Sequence, residues 1–548
     1  MKLNLVQKIS INLFLFVAVA ISPFYNIDSI SLPKFLLLAS YGFIGMIYII
    51  FNLPYLARNL NSKIKIISLG LLFCILLSFF SSQSPKVQLI FGRDGRYNGM
   101  ITFVSLVILF VISATINLSY SNYILKSIVS SILIILAYSI LQLFNLDPIK
   151  WDTVNIKYFG TFGNPNFLSS FLAISTIPVL ALMYKKIKKE NIILNVFLYL
   201  IFNTIIIYLI YKTYSLQGFI VLVLTNFTWL IFWLYSKNKF TIMCSAIFIA
   251  LFSSYLGLIG TLNKGPLASI LYKGSIISRG DFFRSAITTT KDNWATGVGP
   301  DSFGDYYLMY RDVKAANRSN AELADSSHNY FLDLSASFGI FMFAIYSALI
   351  VMTFIVFIKL YRKTNFNQNL LVLFTIWIGL IIQSLISPLN FTFLIYIFLF
   401  SGFVLGNANY PETIGSTALN RIQLKSKYPT IVGLLCALIV INPIVQRDHA
   451  ILLSNNAKRL DLLLLALDQY PRSSTSYNKA LIIMNNQGDS ERLLMTARKA
   501  VDFNSRSSTA HLFIFQSTLS SDAEKSEALK KLIALDPNNL YFKQFLIK

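Results

Sequence analysis

Arg279 and Arg284 stand five positions apart in Ser278-Arg279-Gly280-Asp281-Phe282-Phe283-Arg284, and His328-Asn329 closes the same polar stretch, residues 261–329. A guanidinium makes bidentate bonds to phosphate oxygens and stays charged at any relevant pH. An imidazole takes up a proton near neutrality. Together they suit the displacement of a phosphate leaving group: the arginines meet the charge that builds on the departing oxygen, and His328 relieves an attacking hydroxyl of its proton. Such a base should require its neutral form, with a pH limb near the ordinary imidazole pKa. Apolar runs at 241–260 and 337–360 flank the stretch, each long enough to cross a bilayer. The expected substrate is therefore an anionic lipid presented at a membrane surface.

These groups must be held by membrane helices. With 55% hydrophobic and 13% charged residues and a mean hydropathy of +0.61, the chain is no soluble globular domain. Its formal net charge of +23 resides largely in short loops, where positive residues set orientation, so nucleic acid is not the expected partner. Apolar runs at 9–25, 35–54, 64–80, 100–118, 124–143, 167–184, 192–211, 218–235, 241–260, 337–360, 370–387, 391–408 and 430–446 predict an all-α polytopic fold of about thirteen helices. The first run is expected to be a membrane helix rather than a cleaved signal peptide.

Cations mark alternate connections: Lys2 and Lys8; Arg58, Lys63 and Lys65; Lys126; Lys185, Lys186, Lys188 and Lys189; Lys237 and Lys239; Lys359, Arg362 and Lys363; Arg421, Lys425 and Lys427. The amino terminus is accordingly expected in the cytoplasm, and the 261–329 loop and carboxyl-terminal tail outside. The loop's cations are nearly balanced by Asp281, Asp292, Asp301, Asp305, Asp312, Glu322 and Asp325.

The chain divides into a membrane part, 1–446, and a polar tail, 447–548. In the tail Ala466-Leu467-Asp468, Ala500-Val501-Asp502 and Ala534-Leu535-Asp536 recur every 34 residues, the tetratricopeptide period. Turn signals follow each: Tyr470-Pro471-Arg472-Ser473-Ser474, Asn504-Ser505-Arg506-Ser507-Ser508 and Pro537-Asn538-Asn539. Such helical repeats suggest a surface for a protein partner rather than a seat of chemistry.

Cys74, Cys244 and Cys436 lie in apolar runs without metal-ligand spacing and read as buried small hydrophobes; His449 and His511 read as surface or packing residues. No Gly-rich phosphate loop, HExxH motif or acidic metal cluster appears, so no metal or other cofactor is expected.

Two further segments share the loop's predicted side: Gly92-Arg93-Asp94-Gly95-Arg96-Tyr97-Asn98-Gly99 and Gly160-Thr161-Phe162-Gly163-Asn164-Pro165-Asn166-Phe167. Arg93 and Arg96 are further anion-binding candidates, while Asn164 and Asn166, at a helix start, are natural caps and candidate hydroxyl contacts. With Thr296-Gly297-Val298-Gly299-Pro300-Asp301-Ser302-Phe303 and His328-Asn329-Tyr330-Phe331-Leu332, these segments resemble the O-antigen ligase and polymerase family over residues 90–405. The resemblance implies a helical membrane glycosyltransferase. It would take a glycan from undecaprenyl diphosphate and join it to an acceptor hydroxyl at the outer face of a bacterial cytoplasmic membrane, without nucleotide sugar or metal. Family members often carry an arginine after the helix matching 192–211; here the segment reads Tyr211-Lys212-Thr213-Tyr214-Ser215-Leu216-Gln217-Gly218, so either Lys212 or Gln217 substitutes or the diphosphate is held differently. Asn329 is expected to orient substrate or the His328 ring.

A single displacement would invert the anomeric centre, whereas a carboxylate nucleophile, Asp281 or Asp325, would retain it. Ligation, polymerisation and transfer to a protein hydroxyl all fit this chemistry. The reading from a different class is a transporter of lipid-linked glycans, which should show polar groups at mid-membrane and interrupted helices.

Overall fold

The computed structural model describes residues 3–22, 28–149, 151, 158–187, 192–272, 274–318, 323–409, 426–456 and 460–546. Lys2, Lys188, Lys189, Arg421, Lys425 and Glu322 lie outside them. The described residues are helical throughout, without strands.

Eight helices are long and apolar enough to cross a membrane, from Ser31–Phe51 to Lys427–Ile451, and five shorter apolar helices accompany them. Among the described residues apolar helices stand at all thirteen expected runs, but eight of them rather than thirteen have the length of a span. Met100–Ser113 and Phe391–Gly406 have 14 and 16 residues, about 21 and 24 Å of rise, less than a hydrocarbon core of about 30 Å. Both are packed by other helices rather than lipid. Every residue from Phe391 to Leu405 is buried, the pattern of a helix apolar on all sides at the middle of a bundle. Close approach makes this possible: a Cβ at Gly406 would lie 2.0 Å from the Ala114 carbonyl oxygen.

Ile192–Lys212 and Phe240–Thr261 instead lie at the periphery, with Phe197, Leu200, Phe248 and Leu251 exposed. Cys74 is buried as expected, but Cys244 is exposed on the second of these helices. That helix turns most of its surface outward, so an apolar run did not imply a protein neighbour.

Asparagines start many of the helices. The side chains of Asn4, Asn61, Asn164, Asn329, Asn367 and Asn390 each accept a backbone N–H of the first turn, satisfying donors a membrane helix cannot leave open.

The connections gather at two ends in the alternation the cations predict. At one end Gln7 Nε2 donates to Thr115 O (3.1 Å) and Asn407 Nδ2 to Ile116 O (2.8 Å), and Arg58, Lys63, Lys65, Lys359 and Lys363 line one basin. At the other, Thr161 Oγ1 donates to Ala18 O (2.7 Å) and Asn329 Nδ2 to Leu385 O (3.1 Å). The loop and the tail belong to this second end.

The helix Lys427–Asn456 crosses the expected 446/447 boundary unbroken, although the apolar cores do part there: one reaches Val445, the other begins at Ala450. Beyond it Leu460–Leu467, Ser474–Gln487, Ser490–Phe503, Ser508–Gln516 and Asp522–Leu535 pack successively, each against the next. The tail's turns do not face away from the chain. Arg311 and Asp536 form a buried bidentate pair (3.0 and 2.5 Å), Arg447 pairs with Asp94 (2.6 Å), and the Arg506 guanidinium lies 3.6 Å over the Tyr306 ring. One face of the tail is thus taken up by the chain's own loops.

Candidate functional site

The loop folds as a cap built on Gly274–Asp292, Phe303–Tyr310 and Tyr330–Phe338. Its Gly297-Val298-Gly299 segment runs against the end of Tyr330–Phe338, with Val298 N donating to Ala336 O and Gly299 N to Ser337 O (both 2.9 Å). Gly299 has φ +117°, and a Cβ there would lie 2.3 Å from Ser82 Oγ; only glycine fits. The segment delivers Asp301, whose buried carboxylate accepts from the backbone N–H groups of Arg93 (2.8 Å) and Asn98 (3.2 Å). Asp301 therefore folds the Arg93–Asn98 turn onto the cap.

His328 sits on a turn at φ +58°, a left-handed conformation uncommon outside glycine. Asp333 holds that turn, accepting from Ser326 Oγ and Ser327 N (both 2.7 Å), and Asn329 caps the helix that follows. The imidazole stacks on Phe282, centroids 5.5 Å apart, and its Nδ1 is buried with no hydrogen-bond partner among the described residues. Burial first, then the positive charges of Arg279 and Arg96, push its pKa down to about 4. At neutral pH the ring is neutral and able to accept a proton.

The outer arginines divide sharply. Arg93 pairs with Asp305 and Asp325 (2.7 Å to the latter), Arg96 with Asp301 (3.1 Å), Arg284 with Asp281 and Asp312 (2.7 Å to the latter), Arg318 with Asp281, and Arg311 with Asp536. Arg279 makes no hydrogen bond or ion pair with any described residue, though it is partly buried, and burial lowers its pKa. A cation withdrawn from water without a counter-ion is costly, and an arriving anion relieves that cost.

The expected site residues consequently fall into three groups. His328, Arg279 and Arg96 come together. Beside them opens a cleft lined by Arg96, Asp301, Asp325, Tyr330, Asp333 and Leu389, among others. Arg93 and Arg284 are committed to carboxylates, Arg284 with half its side chain exposed, so neither has the fork free that the expected clamp needs. Asn329 spends its amide on the helix cap and on Leu385 O rather than on the His328 ring.

The third group lies where Pro165–Ile187 and Leu216–Ser236 begin. Asn164 is a cap, Asn166 Oδ1 accepts from Ser215 Oγ (2.6 Å), and Gln217 Nε2 lies 3.4 Å from Ser170 Oγ, which donates to Gln383 Oε1 (2.7 Å). Gln217 Oε1 and Gln383 Nε2 are buried without partners among the described residues, and Lys212 Nζ rests 5.4 Å over the Tyr208 ring. The helix carrying Gln383 ends next to Leu385, the acceptor for Asn329, so this polar group adjoins the His328 turn.

Asp333 and the stacking role of Phe282 escaped the sequence reading. Asp333 follows the Asn329 cap by four residues, a first-turn carboxylate whose backward reach to Ser326 and Ser327 was the available signal.

No curated protein matches the chain. A family model described as O-antigen ligase matches residues 198–347. The matched span holds Lys212, Gln217, Arg279, Arg284, His328 and Asn329; Arg93, Arg96, Asn164 and Asn166 precede it. Residues 198–347 are thus similar to the O-antigen ligase domain, which supports a membrane-bound, lipid-linked glycan transferase of the ligase or polymerase kind.

Proposed function

We propose that the protein transfers a glycan from an undecaprenyl diphosphate carrier to an acceptor hydroxyl at the outer face of a bacterial cytoplasmic membrane. The observation that carries this reading is a partly buried Arg279 beside a neutral His328, with neither Arg279 nor His328 Nδ1 partnered among the described residues. Arg279 binds the diphosphate and takes up the charge that develops on its departing oxygen. His328 accepts the proton of the acceptor hydroxyl as that oxygen attacks the anomeric carbon; the bond from that carbon to the diphosphate breaks, and the lipid diphosphate leaves. One displacement inverts the centre.

Asp281 is a poor nucleophile for the retaining alternative, being buried and held by Arg284 and Arg318. Asp325, more than half exposed and three residues before His328, is the alternative base. Orientation follows from the basin of Arg58, Lys63, Lys65, Lys359 and Lys363 at the end opposite the cap, which is the cytoplasmic mark of the positive-inside rule. The transporter reading has less support, since the charged groups collect at the two ends of the bundle.

Purified protein incubated with lipid diphosphate glycan and a panel of lipid, polymer and protein acceptors should give one glycosylated product and free lipid diphosphate. Movement of intact donor across proteoliposomes without any such product would overturn the reading.

A further inference from the structure

A second cleft opens between the cap and the tail, on the far side of the Arg93–Asp325 pair from the first. Gly304, Asp305 and Leu308 form one wall; Thr475 and Asn478 of Ser474–Gln487 and Thr509 of Ser508–Gln516 form the other. Asp325, three residues before His328, lines both clefts, so the second adjoins the first. Gly304 permits the crowding at their junction, since a Cβ there would lie 2.6 Å from Arg93 Nη1 and 2.8 Å from Asp325 Oδ1.

The residues fixing this cleft are satisfied, while those facing into it are not. Asn504 Nδ2 bonds Asp305 Oδ1 and Ser474 Oγ (both 3.1 Å), tying tail to cap. The hydroxyls of Thr475, Ser508 and Thr509 make no hydrogen bond with a described residue, and Asn478 offers its amide nitrogen with only its oxygen engaged, by Ser507 Oγ at 3.4 Å. Among the described residues Arg93 Nε is buried without a partner, and one oxygen of Asp325 is uncommitted. Leu308 and Leu323 add apolar surface beside them. Small hydroxyls, an amide and a carboxylate around an apolar patch match a sugar ring, which has hydroxyls on its edge and C–H groups on its faces.

We propose that this cleft is a saccharide subsite, holding glycan residues beyond the one that reacts. The inference rests on the transferase reading for the identity of the glycan. Its position next to the first cleft puts it within reach of either the donor's glycan or a glycan acceptor.

The test uses full-length protein in nanodiscs and, as probe, the oligosaccharide released by mild acid from the native host's lipid diphosphate pool, followed by saturation-transfer NMR. The parent should bind it, and Asn478→Ala combined with Thr509→Ala should weaken binding about tenfold, as expected for two lost hydrogen bonds. Thr475→Trp, which fills the cleft, should abolish it with an unchanged melting curve. In transfer assays the double variant should raise KM for multi-sugar donors and spare a one-sugar donor. Dependence on acceptor length instead would assign the subsite to the acceptor. Absence of probe binding by the parent, or equal binding by all variants, overturns the proposal. Cleft-dependent binding in a protein that transfers nothing would sink the transferase reading alone.

Discussion

Two arginine environments lie on one helix, about 7.5 Å apart along its axis. Around Asp281, Arg284 and Arg318 close an ion-pair cluster that Asp312 extends; near His328, Arg279 has no carboxylate partner among the described residues. The same residue type thus serves cohesion at one place and leaves a binding deficit at the other. Sequence spacing suggested a paired clamp. The structure points to a single open cation, because the acidic residues of the loop had already claimed the second.

Substitutions in the two environments should separate into losses of activity and losses of stability. His328→Ala should lower kcat by roughly 10²- to 10⁴-fold, the usual loss on removing a general base, with donor binding retained. Rescue of that rate by Asp325, shown by a collapse only in the double variant His328→Ala with Asp325→Asn, would move the base to the carboxylate. Cohesive pairs should respond in stability instead. Asp536→Ala breaks the buried Arg311–Asp536 pair, which costs up to about 3–5 kcal/mol, visible as early proteolysis between tail and cap in a urea series.

A smaller effect concerns pH. With His328 held at about 4 in the free protein, kcat/KM should stay flat down to about pH 5 and fall only as the ring protonates below that. This corrects the limb near 6.5 that an exposed imidazole would give; burial and two neighbouring guanidiniums favour the neutral form. Bound diphosphate opposes those cations, so the limb in kcat should lie higher than in kcat/KM. A limb near 6.5 in kcat/KM itself would place His328 in water rather than in the cap. Smallest of all is Arg284→Ala, whose half-exposed pairs predict a change in stability within about 1 kcal/mol and transfer within a few-fold of the parent.

Hydropathy made the bundle legible because each helix must be apolar enough to face lipid or other helices. It could not separate the spans that face lipid from Phe391–Gly406, buried on every side, since lipid and protein interior select the same residues. The 34-residue recurrence located the tail's turns, but Asn504 and Arg506, read there as turn chemistry, and Asp536, read as part of the recurrence, are also its contacts with the cap. His328 and Arg279 were visible as rare types at a membrane boundary. Which arginine remained free was not, because Asp281 meets Arg318 across 37 positions and Arg93 meets Asp305 across 212, separations that only the fold closes.

Donor affinity tests the unpaired arginine most directly. Binding of undecaprenyl diphosphate to the full-length parent, Arg279→Ala, Arg279→Lys, Arg284→Ala and His328→Ala in nanodiscs separates the two environments in one experiment. Loss of a charge-assisted bond predicts roughly 10- to 100-fold weaker binding for Arg279→Ala. Only part of that should return in Arg279→Lys, whose ammonium lacks the fork. Arg284→Ala and His328→Ala should bind as the parent does. Parental affinity in Arg279→Ala, with the loss appearing in Arg284→Ala instead, would contradict the account and return the diphosphate to the ion-pair cluster.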